Sequence, residues 1–249
     1  MTDNSLFPDD VMLMRAIMRM PPHVLDALDI DPSPGVTYHI SPVDTIEEFV
    51  PRKCQRTMVG EDELVARVCT ADTLIGCLRG YAVTVRDFIK ARATNAGTDS
   101  WRGGYYIYAI PHKSSVFPGR KLCPMSRWVK ERWLLSYLTD DQPYPAYIVG
   151  KIFIHKATNP GVEQVGNLAV ELMVEVMEES LPWDETLSLT KGYHSIHVPG
   201  LASYFDERFD ADVYEHQPVS HADYMRAKGL KAELLSYSSA AAWGGVFSK

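Results

Sequence analysis

The stretch Val36–Tyr81, VTYHISPVDTIEEFVPRKCQRTMVGEDELVARVCTADTLIGCLRGY, decides how the rest of the chain is interpreted. It opens with a short β-prone run, Val36–Ile40, which Pro42 ends because proline has no amide hydrogen to donate to a neighbouring strand. A second β-prone run, Val65–Thr70, leads into a helical pattern that ends near Tyr81. We therefore expect a strand, followed by a second strand and its helix.

The composition is that of an ordinary globular chain. Of its 249 residues, 46% are hydrophobic and 23% are charged, which permits one large domain or a main domain with a smaller annex. The formal net charge of −7 argues against broad nucleic-acid binding through phosphate neutralisation. No run of about 18 apolar residues occurs, so we expect no membrane-spanning helix and a cytoplasmic protein.

The cysteines and histidines do not form a recognisable metal motif. The four cysteines, at 54, 69, 77 and 123, show no C-x-x-C spacing, so neither a zinc knuckle nor a redox motif is indicated, and we predict no metal site. His194 and His197 are three apart in a short strand pattern, which places them on opposite faces. His216 and His221 follow, but no carboxylate or cysteine stands at a ligand spacing from these histidines.

Three segments after Tyr81 also have strand patterns. Tyr105–Ile110 is aromatic and β-branched, Trp128–Leu135 alternates, and Ala146–His155 is a strand in which Gly150 marks the expected irregularity. Little helix lies between these segments. The pattern predicts an α+β fold with a mixed, mostly antiparallel sheet and flanking helices.

The two ends of the chain are expected to add to this sheet domain. Residues 1–35 are predicted as an N-terminal helical segment, with one or two short helices over 9–30. The main domain is predicted over 36–157, and a C-terminal α+β annex over 158–249. In that annex, Val165–Met177 has an apolar stripe at helical spacing and is predicted as an amphipathic helix.

The motif Tyr38-His39-Ile40-Ser41-Pro42 on the first strand resembles the opening motif of ADP-ribosyltransferases of the diphtheria-toxin and poly(ADP-ribose) polymerase class. Small phage anti-CRISPR ADP-ribosyltransferases open in a similar way. The run Val68–Tyr81 is similar to the second motif of that class, although Cys69 stands where the class has a tyrosine and Tyr81 falls one position late. The resemblance covers roughly residues 36–157 and implies an ADP-ribosyltransferase-like domain.

The resemblance implies NAD as the cofactor and assigns roles to several residues. His39, with Tyr38 and Ser41 beside it, would fix the ribose hydroxyls, and Tyr81 would stack on the nicotinamide ring. Glu131 is the best match for the glutamate of the third motif, which stabilises positive charge near the ribose and accepts a proton. Alternation within Trp128–Leu135 places Glu131 on the same face as Trp133 and Leu135.

Arg52, Arg67 and Thr70 complete the predicted cofactor site. Arg52 lies in a basic segment just past the first strand, where arginine can pair with a pyrophosphate, and Arg67 is the next candidate for a cofactor phosphate. Each candidate also has a structural interpretation: a solvated loop for Arg52, a structural role for Arg67, a surface glutamate for Glu131 and an ordinary strand histidine for His39.

Two functional hypotheses follow. In the first, the chain transfers ADP-ribose from NAD to a macromolecular target, with a protein target expected, as a phage or toxin-type effector. The departures at Cys69 and at the acidic motif support the second, in which a transferase-like fold without activity serves as a protein-binding module or inhibitor. Aromatic residues, methionine and arginine, which are enriched at interfaces, would suit that role.

Overall fold

The computed structural model describes the secondary structure of most of the chain between residues 18 and 229, namely 18–20, 22–25, 28–54, 60–80, 104–124, 126–139, 141–158, 169–199, 201 and 214–229. Within these ranges the fold is mixed α+β and consists mostly of a large antiparallel sheet, which confirms that part of the prediction. No helix within them is long and apolar enough to cross a membrane.

The helices and strands follow one another in this order: α1 (Pro22–Leu25), β1 (Leu28–Asp31), β2 (Gly35–Ser41), β3 (Glu48–Phe49), β4 (Arg67–Ala71), α2 (Leu74–Gly80), β5 (Tyr105–His112), β6 (Ser115–Pro118), α3 (Ser126–Val129), β7 (Glu131–Leu135), β8 (Tyr144–Pro145), β9 (Tyr147–Thr158), β10 (Ala169–Pro182), β11 (Ser188–Val198), β12 (Glu215–Val219) and α4 (221–229). A 3₁₀ turn, Ser136–Leu138, follows β7. The strands predicted at Val36–Ile40, Val65–Thr70, Tyr105–Ile110 and Ala146–His155 are therefore present, as is the helix after β4.

The chain divides into two compact units. The first comprises Met1–His39, Thr45–Cys77 and Tyr108–Tyr147, and the second comprises Ile40–Asp44, Leu78–Ile107 and Ile148–Lys249.

Neighbouring strands of the first unit lie in the order β1-β6-β7-β4-β2-β5. Ile30 pairs with Val116, Val116 with Trp133, and Trp133 with Cys69, all in antiparallel register. Residues paired in this way point to the same face of a sheet. The registers of β4 and β7 therefore define which side chains can meet in the candidate site.

One face of the first unit's sheet, here called the thiol face, carries Arg67, Cys69, Ala71, Glu131, Trp133 and Leu135. A core of mainly apolar side chains covers part of it, consisting of Met20, Val65, Val116, Leu122, Cys123, Trp133, Leu135 and Leu138. Trp133 and Leu135 are fully buried. The predicted sharing of one face by Glu131, Trp133 and Leu135 is confirmed.

The second unit is built on the antiparallel series β9-β10-β11-β12. Leu172 of β10 pairs with Ile154 of β9 and with Ile196 of β11, so its side chain is buried between two neighbours. The helix α4 packs against this series through Tyr224, whose ring centre lies 5.3 Å from that of Phe153.

The helix predicted at Val165–Met177 is wrong for the residues that the structure describes, because Ala169–Pro182 is strand β10. The apolar residues Leu172 and Val176 are four apart, a spacing that fits one face of a helix and one face of a strand equally well. Pairing on both sides with β9 and β11 decides the outcome. Alternate residues Val170, Leu172, Val174 and Val176 are buried on one face, and Met173 is buried on the other, where it packs with Phe153 and Tyr224.

Two smaller predictions also need correction. Residues 28–31, within the range predicted as N-terminal helix, form strand β1 and pair with β6. Gly150 is not the irregularity of its strand, because it pairs with Val176, whereas the register shift falls between Glu171 and Leu172. Glycine suits position 150 for another reason, since an added Cβ would lie 2.5 Å from the carbonyl oxygen of Glu175.

Candidate thiol and arginine site

Arg67 is the most deeply buried charge on the thiol face. Its side chain has 0% exposure, and Nη2 donates to Glu61 Oε1 at 2.5 Å. Nη1 donates to the carbonyl oxygen of Val65 at 3.1 Å, and the guanidinium carbon lies 4.1 Å from the centre of the Trp133 ring. A charge is stable in a protein interior only with such partners. Arg67 is therefore a fixed positive centre in this site.

Two cysteine thiols meet beside this centre. The backbone of Arg52 forms two hydrogen bonds with that of Arg67, of 3.3 and 3.0 Å, which tie the segment after β3 to β4. Two residues later, Cys54 Sγ lies 3.9 Å from Cys69 Sγ. Both thiols are half-buried, whereas Cys77 and Cys123 are buried.

The two thiols differ in pKa: Cys54 is the one that ionises more easily, and Cys69 donates the hydrogen bond to it. The hydrogen bond with Cys69 lowers the pKa of Cys54 to about 7, assisted by the charge of Arg67, although burial and Glu61 oppose this. The same hydrogen bond, together with burial, raises the pKa of Cys69. Burial alone would lower the pKa of Arg67, but its interaction with the Cys69 thiol, its hydrogen bond to Glu61 and the charge of Cys54 raise it, so the guanidinium keeps its charge. Near neutral pH, Cys54 is therefore the nucleophilic sulfur of the pair.

Glu131 is held by two donors on the same face. The indole nitrogen of Trp133 donates to Oε1 at 2.7 Å, and the Cys123 thiol donates to Oε2 at 3.0 Å. These contacts hold the Glu131 carboxylate beside the Trp133 ring, which the Arg67 guanidinium contacts. Glu131 therefore contributes negative charge to this thiol and arginine cluster.

Two groups of residues on this face offer ligand atoms at metal-binding spacing. The atoms of Cys54, Glu61 and Cys69 lie within 4.8 Å of one another, as do those of Glu61, Cys123 and Glu131. The positively charged guanidinium of Arg67 already contacts the first group through its ion pair with Glu61. A second cation there would be repelled, so thiol chemistry fits the geometry better than metal binding.

The His39 side chain on β2 forms a hydrogen bond with the backbone of β4. In the described residues, β2 and β4 share one registered pair, Tyr38 with Ala71, and Arg52 pairs with Arg67 further along β4. The carbonyl of Cys69 lies between these pairs and accepts a hydrogen bond from His39 Nδ1 at 2.9 Å. Burial lowers the pKa of His39, so the ring is neutral near pH 7. The imidazole replaces a backbone partner of β4.

The register separates the two residues at the centre of the predicted NAD pocket. Tyr38 pairs with Ala71, and Ala71 pairs with Glu131, so Tyr38 and Glu131 share the thiol face. His39 is the next residue on β2 and points to the opposite face. The structure thus does not bring His39 and Glu131 together, and Tyr81 lies outside the described residues.

The other residues predicted to bind the cofactor make local structural contacts. The hydroxyl of Thr70 donates to the carbonyl oxygen of Arg132 at 3.0 Å, and the hydroxyl of Ser41 accepts from the amide of Val43 at 3.2 Å. The carbonyl of Tyr38 accepts from the Cys77 thiol at 3.1 Å. Arg52 differs from these residues because its side chain is exposed.

The opposite face of the same sheet carries a second arginine, Arg132. Its Nε lies 3.1 and 3.0 Å from the two carboxylate oxygens of Asp72, and Nη1 lies 3.5 Å from Asp31. Its guanidinium carbon is 5.7 Å from the centre of the Phe117 ring, and the side chain is 22% exposed. We call this set, Arg132 with Asp31, Asp72 and Phe117, the ion-pair cluster.

In the second unit, two of the four histidines noted in the sequence meet. His194 Nδ1 lies 2.9 Å from His216 Nε2, and His194 Nε2 donates to the carbonyl oxygen of Thr190 at 2.7 Å. His194 therefore bonds to the backbone through one ring nitrogen and to His216 through the other. No cysteine or carboxylate joins this pair in a metal-binding group among the residues described.

Comparison of the chain with protein-family models, with curated proteins and with solved structures gave no match. The site therefore has to be interpreted from its own geometry. Sequence reasoning missed the thiol pair because Cys54 and Cys69 are 15 residues apart. The one available signal was that Arg67 and Cys69, two apart in a strand pattern, must share a face.

Proposed function

We propose that the chain is a thiol–disulfide redox protein in which Cys54 is the attacking thiolate and Cys69 the resolving thiol. The observation that carries this proposal is the 3.9 Å separation of the two sulfurs beside the buried guanidinium of Arg67. A disulfide bond is about 2.05 Å long, so bond formation needs the sulfurs to approach by roughly 1.9 Å.

The proposed reaction consumes one disulfide molecule. The Cys54 thiolate attacks one sulfur of that disulfide, which forms a mixed disulfide and expels the other half as a thiolate. The new bond removes the hydrogen bond to Cys54 and the negative charge on its sulfur, both of which raised the pKa of Cys69. Cys69 then gives its proton to the expelled thiolate and attacks Cys54, which releases the second half as a thiolate that takes a proton from water. Cys54 and Cys69 lose two electrons in total, and the external disulfide gains them.

Arg67 has a defined part in this reaction. Its charge favours the thiolate form of Cys54, and its ion pair with Glu61 keeps the guanidinium in place. Because Arg67 and Cys69 are both on β4, the guanidinium stays beside the resolving sulfur throughout. We regard Arg67 as a positioning residue that acts through the two thiols.

The proposal is tested by peptide mapping after incubation of the full chain with 2-hydroxyethyl disulfide. We expect a Cys54–Cys69 disulfide in the unaltered chain, a trapped mixed disulfide on Cys54 in Cys69→Ser, and no adduct at Cys69 in Cys54→Ser. Cys77→Ser, which removes a thiol that burial keeps protonated by raising its pKa to about 12, serves as the control and should behave like the unaltered chain. Absence of both disulfide and adduct would overturn the proposal.

A metal measurement separates this proposal from its nearest competitor. The sulfur spacing also suits two thiolates on one tetrahedral zinc ion, whose ligand sulfurs lie about 3.8 Å apart. The protein purified without chelators should contain no stoichiometric zinc. One equivalent of zinc that is lost in Cys54→Ser would replace the redox proposal with a metal site.

NAD-dependent ADP-ribosyl transfer remains our second proposal. What supports it is the pairing of Tyr38 with Ala71, which sets the strands of the two resembling motifs side by side. The test is the melting temperature with millimolar NAD, since any ligand of the folded state raises it. The proposal expects a rise that is lost in His39→Ala. If NAD causes no shift in either protein, the binding-module hypothesis takes its place.

A further inference from the structure

Two exposed cations stand next to Cys54 in the chain. Arg52 and Lys53 directly precede Cys54, and both side chains are exposed. The two backbone hydrogen bonds between Arg52 and Arg67 fix the start of this segment. Neither side chain forms an ion pair with a carboxylate among the residues described, whereas Glu61 is engaged by Arg67. A molecule that approaches Cys54 from solvent therefore meets two cations.

We infer that the disulfide that reacts with Cys54 is a small anion bearing carboxylates, and that Arg52 and Lys53 select it. This inference rests on the proposed redox function. Exposed cations attract an oppositely charged reactant and accelerate encounter, and this effect decreases as salt screens it. Once the first half has been expelled, the half that remains on Cys54 keeps its carboxylates beside Arg52 and Lys53. The same two residues therefore orient the mixed disulfide for attack by Cys69.

The test compares three disulfide reagents that differ in charge. Oxidised glutathione carries net negative charge, 2-hydroxyethyl disulfide is neutral and cystamine is positive at pH 7. Because these reagents differ in intrinsic reactivity, each oxidation rate is compared between the unaltered chain and the double variant Arg52→Gln/Lys53→Gln. We expect the double variant to react roughly fivefold or more slowly with oxidised glutathione, equally fast with the neutral reagent and faster with cystamine. Raising the salt concentration should remove these differences.

A matched variant controls for overall charge. Arg226→Gln/Lys228→Gln neutralises two exposed cations in helix α4 of the second unit and should leave all three rates unchanged. Equal slowing by the control, or rates with oxidised glutathione that do not respond to Arg52→Gln/Lys53→Gln, would overturn the charge selection. If none of the three reagents oxidises Cys54 and Cys69, the redox proposal itself fails, so the two failures are distinguishable.

Discussion

Arg67 and Arg132 lie on neighbouring strands of the first unit, and each contacts an aromatic ring, yet they face opposite sides of the sheet. Arg67 is fully buried, with the carboxylates of Glu61 and Asp62 and two thiols around it. Arg132 is partly exposed and lies between two carboxylates. The positive charge of Arg132 is thus paired with carboxylates alone, whereas that of Arg67 also acts on thiols, which can change their protonation and oxidation state. Of the two arginines, only Arg67 is therefore placed to influence the reactivity of a thiol.

The largest expected difference between the two arginines concerns stability. Arg67→Gln removes one partner of a buried ion pair and leaves Glu61 without its countercharge, which should cost about 3–5 kcal/mol. Arg132→Gln should cost no more than about 1 kcal/mol, because its partners are 39–40% exposed and solvent screens the pair. Urea unfolding of both variants measures the difference. Similar losses would show that burial does not distinguish the two sites.

A second substitution separates lost pairing from lost packing. Adding Glu61→Gln to Arg67→Gln removes the carboxylate left unpaired, and we expect it to recover about 1–3 kcal/mol of the loss. Adding Asp72→Asn to Arg132→Gln should recover almost nothing. If Glu61→Gln gives no recovery, then Arg67 stabilises the fold through its contact with Trp133 and not through its charge.

The arginines should also differ in their effect on thiol reactivity. Alkylation of Cys54 by iodoacetamide should rise with pH around a midpoint of about 7, set by its lowered pKa, and should exceed that of Cys77, whose pKa is raised. Arg67→Gln should move the midpoint of Cys54 upward and slow its reaction at pH 7 by roughly three- to tenfold. Arg132→Gln should leave the midpoint unchanged. Mass spectrometry of alkylated peptides measures the rates. An unchanged midpoint in Arg67→Gln would show that Arg67 does not lower the pKa of Cys54.

The smallest expected effect is a pH dependence of stability from two histidines. Burial lowers the pKa of His39, and burial followed by the charge of Arg132 lowers that of His112. Each stays neutral in the folded protein below about pH 6.5, where the unfolded chain binds a proton. The free energy of unfolding should therefore fall as the pH drops from 6.5 toward 5.

Urea midpoints between pH 6.5 and 5 measure this slope, below the pH range in which Cys54 titrates. The lowered pKa of Asp31 contributes only at more acid pH, near and below its usual value, so it does not confuse the comparison. His112→Asn should flatten the slope. Arg132→Gln should flatten it less, because burial remains as the larger cause of the shift. A slope that stays the same in His112→Asn would contradict the assignment.

Much of the first unit's sheet was predictable from local pattern. Alternation correctly placed Trp133 and Leu135 with Glu131, because a strand buried on one face enforces a period of two. The predicted segment Trp128–Leu135 was too long, however, since Trp128 and Val129 belong to helix α3 and the strand begins at Glu131. The same reasoning failed at Val165–Met177, where the spacing of Leu172 and Val176 satisfies two periods and only the neighbouring strands select one.

The site was less predictable than the fold, because its parts come from separate segments. Cys54 reaches Cys69 only through the backbone pairing of Arg52 with Arg67, which no local pattern encodes. The positions of His39 and Glu131 relative to the sheet depend on the register of β2 on β4, and a shift of one residue would have reversed the answer. The individual residues were noticed, but their grouping required the register.

The hydrogen bond from His39 to the Cys69 carbonyl has one more consequence. A slip of β2 along β4 by two residues would keep every side chain on its own face, so burial alone does not forbid it. Such a slip would move the imidazole away from the carbonyl of Cys69. That carbonyl lies on β4 between the residue that pairs with Tyr38 and the residue that pairs with Arg52. His39 thus favours a single alignment of β2 with β4, by a contact that the burial pattern of the two strands does not supply.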